Sequence, residues 1–374
     1  MTDIEYKEAI NSIIYLCSCA IEGTAPELSK IHNLDHLYKA SQKHMLTAMV
    51  GLVLQDAGIS SRCFKNAVAL ASYRAILFEH DLDLITSALE KAEIWYMPLK
   101  GTVIKKLYPG FAMREMCDQD ILFDAARAED VRAIMEKLGF KATSYGETND
   151  DDYSKPPVSY VEMHRSLFDQ IHDKRFYEYY KNVKTKLVTA EGSKYCFCFT
   201  PEDFYIFMIS HEYKHYRQSG TGLRSLLDTY IYLRSNVLDF CYVTNEMEKL
   251  GISDFEKQNR NLSLCLFSGQ TLTEIQERML DYIIYSGTFG TSQHNIENKV
   301  IESGGKWKYI IRRLFGPIGK DDPFRESFIN KYKLFFKYPF LLPLLPSYRF
   351  CKAILNNPGY IKNEAEILSK KNER

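Results

Sequence analysis

IWYMPLKGT (residues 94–102), REMCDQDILF (114–123) and VSYVEMH (158–164) are the stretches whose reading decides the fold. Residues 95–99 are a short apolar run that stops at Lys100-Gly101-Thr102, and residues 102–108 have helical spacing. A strand, a glycine turn and a helix start leave backbone N–H groups unpaired, which makes a place for phosphate. In the second stretch Asp118 and Asp120 are two apart, so a strand puts both carboxylates on one face. In the third, Tyr160, Glu162 and His164 share a face while Val161 and Met163 point the other way. The reading gathers three carboxylates at one edge of a small sheet.

Carboxylates held that close repel unless a cation lies among them. An oxygen-only set suits Mg²⁺, which takes one or two carboxylates plus substrate phosphates. Two such ions can hold the attacking and leaving oxygens of an in-line phosphoryl displacement. The competing reading is a pair of exposed strand acids. Lys100-Gly101-Thr102 upstream and Arg114 just before the strand weigh against it.

The order L-K-G-T, R-x-M-x-D-x-D and V-E-x-H resembles the nucleotidyltransferases of the DNA polymerase β type. Within them it is most similar to a bacterial family known mainly as uncharacterised nucleotidyltransferases. The resemblance implies an α+β fold, a small mixed β-sheet nucleotidyltransferase core flanked by N- and C-terminal helical regions. It implies Mg²⁺ (or Mn²⁺) and an NTP, with ATP the first candidate, whose NMP group moves to an acceptor with release of pyrophosphate. Gly101 and Thr102 match the family's Gly-small pair, Asp118 and Asp120 its metal-binding pair, and Glu162 its third acid. Gln119 stands where an apolar residue is usual, at what reads as a solvated strand end, and the interval from Gly101 to Asp118 is long.

The roles expected from this are as follows. Asp118, Asp120 and Glu162 are catalytic and hold metal, Glu162 also helping to deprotonate the acceptor. Lys100, Gly101, Thr102 and Arg114 bind the nucleotide, although Thr102 also reads as a helix cap, Lys100 as a partner for an Asp and Arg114 as a brace for the loop before the strand. His164 follows Glu162 on the same face and reads equally as an acceptor contact or a buried, hydrogen-bonded histidine. His211, His215, Arg224 and Asp228 are expected on the acceptor side. Arg224 and Asp228 are four apart and so neighbours on one helix face.

The chain of 374 residues has 45% hydrophobic and 26% charged residues, an ordinary globular composition with room for several domains. Lys+Arg and Asp+Glu are both 48, so no global charge points to nucleic acid, and a small-molecule acceptor is favoured. The nine cysteines are dispersed, with no C-x-x-C, which fits reduced thiols better than a disulfide framework. The acidic, polar start MTDIEYKEAI is no signal peptide, so a cytoplasmic location is expected.

In order, residues 1–93 read as a helical domain, 94–200 as the nucleotidyltransferase core, 201–300 as a helical acceptor-side domain and 301–374 as a basic, aromatic arm. Ile10, Ile13, Ile14, Cys17 and Ile21 give a helical stripe, and residues 44–54 and 64–91 two further helices. Residues 146–157, with Asp150, Asp151 and Asp152 before Pro156-Pro157, read as a solvated loop. Glu191-Gly192-Ser193 reads as the turn of a hairpin, and Thr200 as the N-cap of the next helix.

That helix carries His211-Glu212-Tyr213-Lys214-His215, which matches the H-E-x-x-H zinc motif and supports the alternative of a zinc hydrolase. His211 and His215 read as lying on the buried face with Phe204, Phe207 and Met208, and Glu212 near its edge. No third ligand stands at a known spacing, so the motif reads as a coincidence. A non-catalytic nucleotide-binding module is the other alternative. Residues 306–352 hold eleven Lys/Arg against three acids, with aromatics interleaved. A solvated arm packed on the core is the favoured reading there, because prolines break any amphipathic helix, and peripheral membrane contact comes second.

Overall fold

In a computed structural model, which describes residues 1–317, 322 and 324–369, the chain forms two compact units, residues 1–213 with 222–288 and residues 214–221 with 289–374. The first is α+β, with a small mixed sheet between helical flanks as expected. It opens with helices α1 (Asp3–Glu22), α2 (Leu34–Lys43), α3 (Thr47–Asp56) and α4 (Arg62–Lys91). Strand β1 (Tyr96–Pro98) leads into the short helix α5 (Lys100–Ile104) and a 3₁₀ turn (Lys105–Leu107), less helix than the spacing of 102–108 promises. Then come β2 (Gln119–Phe123), α6 (Ala128–Lys137), β3 (Lys141–Ser144), β4 (Asp150–Lys155) and β5 (Ser159–His164).

The strands lie in the order β1-β2-β5-β4-β3. Only β2 and β5 run parallel. Period-two alternation gives the sheet two different faces. On one, Ile121, Phe123, Val161, Met163 and Tyr153 pack with Ile85 and Leu89 of α4 and Val131 and Met135 of α6. Lys155 Nζ, 2.7 Å from Asp81 Oδ1, pins the β4–β5 hairpin to α4. The opposite face carries Asp120, Glu162 and His164.

The stretch of three aspartates is strand β4 rather than the expected solvated loop. Asp is poor in strands as a rule, but here each carboxylate has a place. Asp151 is buried and accepts from Arg165 Nε at 2.9 Å and from the Gly146 N–H at 2.7 Å. Asp150 and Asp152 lie opposite His164 and Glu162.

After α7 (Lys174–Tyr180), the hairpin β6 (Val188–Thr189) and β7 (Phe197–Cys198) forms about the turn read from sequence. Helices α8 (Pro201–Gln218), α9 (Leu223–Ser235), α10 (Phe240–Leu250), α11 (Ser253–Phe267) and α12 (Glu274–Ser286) follow. Thr200 caps α8, its Oγ1 accepting from the Asp203 N–H at 3.2 Å. The second unit is helical: α13 (Ser292–Glu302), α14 (Lys306–Phe315), α15 (Arg325–Lys331), α16 (Lys333–Lys337), α17 (Leu345–Asn356) and α18 (Pro358–Ser369). The prolines break this region only in part: Pro339 and Pro343 lie in a 3₁₀ turn (Pro339–Leu344) between α16 and α17. None falls inside α14, and Pro346 sits in the first turn of α17, where its missing N–H costs nothing. Lys320 and Asp321, counted in the basic arm, lie outside the described residues. No helix among the described residues is long and apolar enough to cross a membrane.

Candidate active site

The site face is set by register. Asp120 lies directly opposite Glu162, and Leu122 opposite His164, in the parallel pair β2–β5. The Leu99 N–H donates to the Asp120 carbonyl at 2.9 Å, tying the end of β1 to this point. Lys100 follows in the left-handed region at φ 45°, a strained place for a lysine. There its Nζ meets Asp120 Oδ1 at 2.6 Å. His164 Nε2 donates to the same oxygen at 2.8 Å and lies 3.6 Å from Glu162 Oε2. Its Nδ1 is buried, without a hydrogen bond among the described residues and 3.7 Å from Asp150 Oδ2.

The acids outnumber the cations here, and their ionisation shows it. Burial and then Asp120 push the Glu162 carboxyl up, and burial and Asp120 do the same to Asp118, which precedes β2 by one residue. Burial also raises Asp152. Burial works against Asp120 ionising too, but Lys100 and His164 outweigh it and hold Asp120 below the usual carboxylate range. Among the described residues, one group of His, Cys, Asp or Glu side chains is close enough to share a metal ion. It is Asp120, Glu162 and His164, with ligand atoms all within 4.8 Å of one another. A buried carboxylate, Asp120, with the half-buried Glu162 and Asp118 beside it fits a hard divalent cation, because such an ion removes the repulsion that raises Glu162 and Asp118.

Around this face the other expected residues fall into two sets. Gly101 and Thr102 are in the first turn of α5. The Thr102 N–H is taken by the Leu99 carbonyl, while its Oγ1 is buried with no partner among the described residues and caps nothing. Arg114 reaches away to α9. Its Nε donates to Asp228 Oδ1 at 2.8 Å and its Nη2 to Asp228 Oδ2 at 2.7 Å, and the Tyr108 hydroxyl adds a bond to Oδ1 at 2.7 Å. One turn earlier on α9, Arg224 Nη1 donates to the Glu115 carbonyl at 2.7 Å. The Glu115 carboxylate in turn accepts the Ala48 N–H at 2.8 Å at the start of α3, which has no cap of its own. Arg224 and Asp228 thus grip the segment that leads into Asp118.

The H-E-x-x-H helix does not gather ligands. Glu212, expected at the edge, is the buried residue, and His215, expected inside, is exposed. Glu212 Oε2 accepts from Asn259 Nδ2 of α11 at 3.0 Å, and burial raises its pKa to about 7. A carboxyl occupied inside a helical core cannot serve a zinc-bound water, so the zinc reading fails.

Sequence reading missed Asp150 and Asp152, which join the site face through β4. The alternation of Asp152 and Ser154 with buried Asp151 and Tyr153 is the signal that could have found them. Gln119, expected at a solvated strand end, is fully buried with neither amide atom hydrogen-bonded among the described residues. Beside the site, a cavity of about 570 Å³ lies among α4, α2 and residues 105–116, with Arg74, Lys106, Phe78, Tyr108, Arg114 and Met116 in its wall.

Comparison with curated proteins gives no match. A solved structure of an antigenic nucleotidyltransferase-like protein from Paracoccidioides brasiliensis is 14% identical, covering 55% of this chain and 93% of that one with a TM-score of 0.33. A likeness of that grade decides nothing about the site. The family described as uncharacterised nucleotidyltransferase matches residues 32–268, well over half of the chain and every element from β1 to α11. The chain belongs to this uncharacterised nucleotidyltransferase family.

Proposed function

We propose that the protein transfers an NMP group from an NTP, with ATP the first candidate, to a hydroxyl of a small molecule, releasing pyrophosphate. The observation that carries this is the pairing of Asp120 opposite Glu162, with Asp118 one residue before the strand and Lys100 bonded to Asp120. Asp118, Asp120 and Glu162 are the residues that would hold Mg²⁺ or Mn²⁺. When bound, such an ion supplies charge to the triphosphate and to the attacking oxygen.

The chain's own residues do the rest by position. The turn at Lys100, Gly101 and Thr102 is assigned to the β- and γ-phosphates. Use of the Thr102 hydroxyl requires the turn to open slightly, since Oγ1 is buried. The acceptor hydroxyl attacks the α-phosphorus, the bond from that phosphorus to the bridging oxygen breaks, and pyrophosphate leaves. Glu162 is assigned the hydroxyl's proton, as the carboxylate directly opposite Asp120 across the parallel pair. Arg114, with two of its nitrogens on Asp228, is assigned to bracing the Gly101 turn rather than clamping phosphate. Arg224 and Asp228 act on the same segment. The cavity beside Arg114 and Met116 is of small-molecule size, and it is the space we assign to the acceptor, with His164 and His211 as further acceptor-side residues.

The test is pyrophosphate release from each of the four NTPs with Mg²⁺ across a panel of hydroxyl-bearing small molecules, with mass spectrometry for the NMP adduct. The wild type is expected to release pyrophosphate and form an adduct, while Glu162→Gln does neither yet still folds. Nucleotide binding with no pyrophosphate from any pairing would leave a binding module in place of the enzyme.

A further inference from the structure

We propose that the outward side of the helical second unit docks on an anionic lipid bilayer. The inference stands apart from the nucleotidyl-transfer reading.

Helix α14, KWKYIIRRLF, shows the pattern most plainly. Its inner side is already occupied: the Tyr309 hydroxyl donates to Glu364 of α18, and Arg313 Nε reaches the same carboxylate at 3.2 Å. Yet a second apolar stripe faces out. Trp307, Ile311 and Phe315, spaced four apart and so stacked on one side, are 79%, 44% and 56% exposed. Lys308 and Arg312 run beside them at the same spacing. A helix that needs one apolar side for its own fold has no structural use for this one.

The pattern continues along the unit. Phe340 is 75% exposed, Leu344 58% and Leu355 81%. Of the large hydrophobic residues exposed among the described residues, twelve of twenty-seven fall between 301 and 355. That density in so short a segment exceeds the scatter of single residues normal for a surface.

Charge decides the partner. Residues 306–352 carry eleven Lys/Arg against three acids in a chain whose net charge is zero. Lys308, Lys333 and Lys337 have no carboxylate partner among the described residues. Cations interleaved with Trp, Phe and Leu suit an anionic headgroup layer with acyl chains beneath it. Nucleic acid fits less well, because Ile311, Leu334, Leu344 and Leu355 offer no π-face for a base. With no helix able to span, the unit would lie on the bilayer.

The test uses the full chain with vesicles of phosphatidylcholine alone and of phosphatidylcholine mixed with phosphatidylglycerol. The sequence has two tryptophans, so Trp95→Phe leaves Trp307 as the reporter. Expected are co-sedimentation with the mixed vesicles only, a blue shift of Trp307 emission on binding, and weakening of at least about tenfold in Lys308→Glu/Lys333→Glu. Phe340→Ser/Leu344→Ser, changed at exposed positions, is expected to lose binding while unfolding at the wild-type temperature. The proposal is overturned if the protein ignores both vesicles, binds both equally, binds only nucleic acid, or self-associates through Trp307 and Phe340 in place of binding lipid.

Discussion

The Arg114 guanidinium occupies the space that a side chain at position 101 would need. A Cβ built on Gly101 would stand 2.4 Å from Arg114 Nη1 and 3.2 Å from Met116 Cε. The glycine before Thr102 is therefore required by a close approach, and its φ is not among the positive ones. Gly101→Ala is expected to push Arg114 off its seat, at a cost of about 1–3 kcal/mol. Thermal unfolding with and without Mg²⁺ and ATP checks this. The variant should unfold at lower temperature and gain less from the nucleotide than the wild type does.

Asp228 holds Arg114 by two parallel hydrogen bonds in a place where little of either side chain meets water. Asp228→Asn leaves a guanidinium buried without its counter-charge, which costs about 3–5 kcal/mol in urea unfolding. Arg114→Met/Asp228→Leu removes both charges and is expected to recover much of that loss. If the pair positions the turn, turnover stays low in the double variant although stability returns. Turnover returning with stability would make the pair merely structural.

His44 links four elements. Its Nδ1 accepts the Leu223 N–H at 3.2 Å, so Nε2 carries the proton and donates to the Tyr6 hydroxyl at 3.1 Å, which donates to the Ile284 carbonyl at 2.6 Å. Burial, aided by Lys43, lowers its pKa from 6.5 to about 3. The unfolded chain then binds a proton near pH 6.5 that the folded chain refuses until about pH 3. Stability is kept above pH 6.5 and falls as pH drops, by about 1.4 kcal/mol per unit at the steepest. Between pH 6.5 and 5, His44→Gln should show a flatter profile than the wild type, though lower at neutral pH.

Glu212 slopes the other way. Its pKa rises from 4.5 to about 7, so its contribution is whole below pH 4.5 and is lost as pH rises through 7. Relative to Glu212→Gln, the wild type should lose stability from pH 5 to pH 8, by at most about 3 kcal/mol. Urea midpoints at the two pH values give the difference directly.

Much of this fold was legible because periodicity and punctuation agree. Val161 and Met163 pack inward and set the phase that turns Glu162 and His164 to the other face, and the glycine-free helical spacing of residues 64–91 became α4. Strand β4 was hidden by its aspartates, of which the buried Asp151 takes its partner Arg165 from beyond the next strand. Glu212 and His215 were read on the wrong sides of α8 because hydropathy cannot foresee that Asn259 of α11 waits inside for a carboxylate. The grip of α9 on residues 114 and 115 is a tertiary fact that no local pattern contains.

The central claim is that Asp118 and Asp120 bind the metal and nucleotide that the reaction uses. Calorimetric titration of metal-free protein with ATP, GTP, CTP and UTP, with and without Mg²⁺, tests it on the wild type and on Asp118→Asn/Asp120→Asn. The account predicts Mg²⁺-dependent binding of at least one NTP to the wild type and none to the double variant, with both unfolding cooperatively. Binding that is equal in the two proteins, or absent from the wild type with every NTP, would contradict it.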